Sequence, residues 1–163
     1  MSRPEETEKW ERRVFAAFAK CSGLNISVAS IKSCKPPLPD VCCTLDQSDY
    51  FFELAEVVPQ VQARALSTEG IYSSGFPDPN ERGPTAMVNS ISQKQTKAYD
   101  TGGAPVDLLL YFNKDFPMYL PDVTSDGAEP TDIDRAAEEC KRLGPFSRIW
   151  TYCSWNNTAK RLA

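Results

Sequence analysis

Residues 105–112, PVDLLLYF, are apolar at nearly every position. A strand with one face in water alternates apolar and polar side chains, so an unbroken run of this kind marks a central strand covered on both sides. The chain therefore has to provide a sheet and a layer of structure on each of its faces.

The other patterned segments provide these parts. Residues 4–21 read as a helix: Ser2 with Glu5 forms a capping box, Pro4 suits the first turn, and Gly23 supplies the stop. Trp10, Val14, Phe15, Phe18 and Ala19 make its apolar stripe. NISVASIKS (25–33) alternates with period two and reads as a strand, broken by Pro36, Pro37 and Pro39. Residues 40–45 and 50–58 read as a hairpin that Pro59 ends, and QVQARALS (61–68) as a short helix. The stretch 69–84 is dense in Gly, Pro, Ser and Asn and reads as a long loop. Residues 86–99 fit a helix closed by Gly102 and Gly103. A second helix runs from Thr131 to Arg142, with Gly144 closing it. SRIWTYCSW (147–155) reads as the last strand, and the tail 156–163 as frayed. The order α-β-β-β-α-β-α-β predicts an α/β domain spanning 1–163, a mixed sheet flanked by helices.

Composition narrows the chemistry. There is no histidine among the 163 residues, which excludes Ser-His-Asp and Cys-His catalysis and His-ligated zinc. Six cysteines (21, 34, 42, 43, 140 and 153) include no C-x-x-C pair. Cys42 and Cys43, adjacent in a strand, point to opposite faces, so buried free thiols are expected. No apolar run approaches the ~18 residues that span a bilayer, and the charged N-terminus lacks the core of a secretory signal. A cytoplasmic protein without membrane contact is the expectation. The net charge of −4 argues against indiscriminate nucleic-acid binding but leaves a local basic face open.

Carboxylates inside the hairpin need an explanation, because an ionised acid in a sheet core must be paired or metal-bound. An even-length loop through DQSD (46–49) makes facing positions sum to an odd number. Residue 45 then faces 50, and 40 faces 55. Asp40, Glu53 and Ala55 share a face in that register, and Glu56 projects to the other; an odd loop would bring Glu56 beside Asp40 instead. With the even loop, Asp40 and Glu53 are diagonal neighbours about 7 Å apart at Cβ. Either a basic side chain or a hard divalent cation would balance them.

Pro39-Asp40, a turn and then Glu53-Leu54-Ala55 resemble the motif of the PD-(D/E)xK nuclease superfamily, and the element order resembles that family's restriction-endonuclease-like core. Ala55 stands where the family carries lysine. In branches similar to the Uma2-type endonucleases the lysine moves to the following helix, in a K-x-x-x-x-Y or K-x-x-K-x-Y pattern, and KQTKAY (94–99) matches it. Helical spacing from Met87 through Ile91 also directs Lys94 toward the sheet, with Lys97 further toward solvent.

The resemblance implies a metal-dependent nuclease. Asp40 and Glu53 would hold Mg²⁺ (or Mn²⁺) and Lys94 would be the catalytic amine. Glu56 and Lys97 stand as alternates, and Glu11 on the first helix is a further acid for the metal shell. It also implies a nucleic-acid partner, DNA before RNA, and leaves a homodimer or a protein partner open. The alternative is an inactive nuclease fold that serves as a binding module. Trp150, Tyr152 and Trp155 do not share one strand face, so core packing is expected of them before base stacking.

Overall fold

The computed structural model describes residues 3–57, 83–112, 130–154 and 156–163. The expected 61–68 helix, most of the 69–84 loop and Trp155 lie outside the described residues. The elements in chain order are α1 (Arg3–Cys21), β1 (Ile26–Ser33), β2 (Val41–Leu45), β3 (Ser48–Glu56), α2 (Gly83–Lys94), β4 (Val106–Phe112), α3 (Pro130–Leu143), β5 (Arg148–Cys153) and β6 (Thr158–Arg161).

The strands form one sheet in sequence order, β1-β2-β3-β4-β5-β6. The β1/β2, β2/β3 and β5/β6 pairs are antiparallel, whereas β3/β4 and β4/β5 are parallel. Every residue of β4 is buried, as its unbroken apolar run requires. One face carries Ala55, Val57, Leu108, Leu110 and Ile149 against Met87 and Ile91 of α2 and Ala137 and Cys140 of α3. The other face carries Phe52, Leu54, Leu109, Trp150 and Tyr152 against Val14, Phe15 and Phe18 of α1. The two parallel steps proceed in one direction across the sheet, and connections of one hand then lay both helices on the same face. Among the described residues, α1 covers the opposite face.

Three details depart from the sequence reading. The hairpin turn is two residues long, Asp46-Gln47, both at positive φ (50° and 67°). Such a tight turn matches strand twist but ordinarily takes Asn-Gly, so the four polar residues 46–49 read as a longer loop. The tail is not frayed: β6 pairs with β5 and Ala163 is buried. Trp10 is 38% exposed rather than part of the buried stripe. Trp150 and Tyr152 are buried as expected. The cysteines are all free, with Cys43 and Cys140 buried and the other four partly so. No helix among the described residues is long and apolar enough to cross a membrane.

Candidate functional site

The short turn sets the register that matters. Val41 pairs with Phe52 and Leu45 with Ser48, two positions away from the expected pairing but of the same parity. Asp40, one residue before β2, is therefore placed opposite Glu53, and both stand on the face covered by α2. The β2 ladder ends at Val41, and the Leu54 N–H beyond it would lack a strand partner. It donates to Asp40 Oδ2 at 2.8 Å. That bond fixes the Asp40 carboxyl at the end of β2.

Glu53 is 4% exposed; among the described residues it and Asp107 are the only buried charged side chains. Its partner is the expected one. Lys94, the last residue of α2, donates from Nζ to Glu53 Oε1 at 2.5 Å, with 21% of the lysine side chain exposed. Ala55, where the family motif has its lysine, is buried and small, so a long side chain can arrive from the helix instead. The end of α2 is held in place by α3. A Cβ on Gly144 would lie 2.6 Å from the Cys140 carbonyl and 3.0 Å from that of Gln95. Only glycine lets the end of α3 come this close to the residue after Lys94.

The electrostatics are those of crowded acids. Burial, and then the Glu53 carboxylate, raise Asp40 above the usual carboxylate range. Glu11 on α1 is pushed up to about 7, by burial first and then by Asp40 and Glu53, while Lys94 pulls it down. The second-tier glutamate of the first helix thus feels the charges of the other three. Tyr99 belongs here too. Burial and then Glu53 raise its hydroxyl, and that oxygen is buried without a hydrogen-bond partner among the described residues.

The remaining candidates stand apart. Glu56 is on the other face, where it and Glu11 raise the buried Tyr111 hydroxyl behind the larger effect of burial. Lys97 is exposed and lies beyond α2, which ends at Lys94 rather than 99.

The donor set suits a hard cation. One or two carboxylates, completed by water and phosphate oxygens, is the usual protein contribution to a Mg²⁺ site, and the buried Tyr99 hydroxyl adds a polar atom near Glu53. Among the described residues no group of three or more His, Cys, Asp and Glu is gathered as a ready-made metal cage. Among the described residues, Asp40 and Glu53 are the two that would hold such an ion.

Sequence reasoning missed a second polar cluster. Asp107 is fully buried in β4. Its Oδ1 accepts from Tyr50 Oη at 2.8 Å, and its Oδ2 accepts from Arg148 Nε at 2.7 Å and Trp150 Nε1 at 2.9 Å. The Arg148 guanidinium lies over both rings, 5.0 Å from Tyr50 and 5.6 Å from Trp150. Asp107 and Trp150 share the α1 face of the sheet and Glu53 the other, so this cluster is separate from the Asp40 site. The signal that could have found it is the one acid inside an otherwise apolar run.

The raised acids predict a pH dependence. Glu11 rises from an ordinary 4.5 to about 7, so folding favours its protonated form. Its stability contribution is fully present below 4.5 and is lost as pH rises through about 7. Without divalent ions, Glu11→Gln is expected to match the parent near pH 4.5 and exceed it at pH 8. Discounted for partial exposure, the gain is about 1–2 kcal/mol. Urea midpoints at the two pH values measure it; a variant less stable at pH 8 would refute the crowding.

No protein-family model, curated protein or solved structure matches this chain.

Proposed function

We propose that the protein is a metal-dependent phosphodiesterase that hydrolyses nucleic acid, with DNA the first substrate to test. The observation that carries this reading is the convergence of Asp40, Glu53 and Lys94 from three separate segments, the end of β2, β3 and α2. A divalent ion at Asp40 and Glu53 would polarise the scissile phosphate and supply a water of lowered pKa. The chain's own groups do the rest. Asp40 is oriented by the Leu54 N–H. Lys94, released from Glu53, would donate to the attacking water or to a phosphate oxygen as charge develops there. This chemistry needs carboxylates, an amine and a cation, and a chain without histidine can perform it. The mixed sheet with helices on both faces supports the restriction-endonuclease-like assignment.

The test is incubation with single- and double-stranded DNA and with RNA in Mg²⁺ or Mn²⁺. Cleavage that a chelator abolishes and Asp40→Ala eliminates is the expected result. Cleavage that survives Asp40→Ala would place the chemistry elsewhere.

One observation favours a non-catalytic binding module as the second reading. The Lys94–Glu53 ion pair already neutralises one of the two acids, so the site is balanced as it stands. Calorimetry separates the two: Mn²⁺ binding that Asp40→Asn removes supports the enzyme, and no binding supports the module.

A further inference from the structure

Part of the sheet is left open on the side of α2. The helices α2 and α3 cover β3, β4 and β5 there, and among the described residues none of β1 or β2 belongs to that core. Asp40 stands at the border of this open ledge. The register sets Lys32 opposite Cys42. Lys32 therefore shares the face of Asp40, two residues or about 7 Å away along β2. Lys35 opens the turn past the end of β1, where the Leu38 N–H donates to the Lys35 carbonyl at 3.0 Å. Lys97 arrives from the helix side. Its N–H donates to the Lys94 carbonyl at 3.1 Å, and the Asp100 N–H donates to the Pro37 carbonyl at 3.2 Å. That second bond ties the segment after α2 to the Lys35 turn. All three lysines are exposed, and none is in an ion pair among the described residues.

We propose that Lys32, Lys35 and Lys97 hold the phosphate backbone of a DNA strand that crosses the ledge and the end of β2, bringing one phosphodiester to Asp40 and Glu53. The inference rests on the nucleic-acid reading and adds the path of the substrate. Charge selects the occupant. The chain has a net charge of −4, and the acids of the site repel a polyanion, so phosphates settle there only where cations gather around them. These three lysines do so from separate segments. Lysine is a compact charge on a flexible stem, which meets phosphates without reading bases. Binding through the ledge is therefore indifferent to sequence and sensitive to salt.

The test measures binding of fluorescent DNA oligonucleotides to the full chain, with a chelator present so that cleavage does not intervene. Lys32→Gln combined with Lys35→Gln and Lys97→Gln should weaken binding about tenfold or more near physiological salt. The slope of log affinity against log salt should become shallower by about 2–3. A triple variant with the same charge change at exposed positions elsewhere, Lys20→Gln with Arg142→Gln and Lys160→Gln, should bind like the parent. In the parent itself, bound DNA should shield Lys32, Lys35 and Lys97 from acetylation and leave Lys20 and Lys160 reactive, which decides the matter if a variant does not fold. Equal losses in both triples, or an unshielded ledge, would overturn the proposal. Displacement of the DNA by polyglutamate of the same charge would also overturn it and assign the surface to an acidic peptide. Cleavage that proceeds without the ledge lysines refutes the path alone, whereas a parent that neither binds nor cleaves refutes the nucleic-acid reading as well.

Discussion

Asp107→Ala should destabilise the protein by about 3–5 kcal/mol, the range for breaking a buried ion pair by removing one partner. Three donors lose their acceptor at once: Tyr50 Oη, Arg148 Nε and Trp150 Nε1. The guanidinium suffers most. Only 21% of the Arg148 side chain is exposed, and its Nη2 is already buried without a partner among the described residues. Removing Asp107 therefore leaves a nearly buried cation with no counter-charge. For a chain of this length the melting temperature should fall by roughly 10 °C or more. A companion variant identifies the cause. Asp107→Leu with Arg148→Met removes both charges together, and hydrophobic replacement of a whole buried pair is often neutral. The double variant should recover most of the loss in a thermal or urea melt. If Asp107→Ala costs less than 1 kcal/mol, the cluster does not hold β3, β4 and β5 together.

Lys94→Ala should have the largest effect on activity, lowering cleavage by about 10²- to 10³-fold, as loss of one preorganised donor to developing charge does. Its stability effect has a distinctive dependence on divalent ions. Without them the substitution strands Glu53, at 4% exposure, beside Asp40 with no cation between them. A loss of about 2–4 kcal/mol follows, somewhat below that for a fully buried pair because the lysine is partly exposed. Saturating Mn²⁺ should then stabilise the variant more than the parent, since the ion replaces the missing ammonium, yet activity should stay low. Kinetics and melts with and without Mn²⁺ read both effects. Stability that recovers together with activity would show that Lys94 serves only as a counter-ion.

The layered architecture was legible because its signals are local and strong. PVDLLLYF can only be an interior strand, and Val14, Phe15 and Phe18 repeat at helical spacing. Parity of the hairpin was legible too, and parity is what puts Asp40 and Glu53 on one face. The register was not. Asp46 and Gln47 take positive φ without the glycine that usually announces such a turn, so the pairing moved by two residues and turned a diagonal pair into a directly opposed one. β6 gave no signal because a four-residue edge strand, TAKR, with three exposed positions carries no apolar alternation. Asp107 was invisible for a different reason. Its partners come from β3 and β5, and a lone acid in an apolar run is explained only when those strands are side by side. Lys94 could be placed because helical spacing and the KQTKAY pattern agreed, although α2 stops at that residue.

Everything proposed about function turns on whether the paired acids at the end of β2 and in the middle of β3 take up a divalent ion. A crystal soaked in Mn²⁺ and measured for anomalous scattering tests this directly. The account predicts an anomalous peak within ligand distance of both Asp40 and Glu53, absent in Asp40→Asn, with the Lys94 ammonium drawn away from Glu53. Data without such a peak, in which Lys94 still bonds to Glu53 at high Mn²⁺, would contradict it.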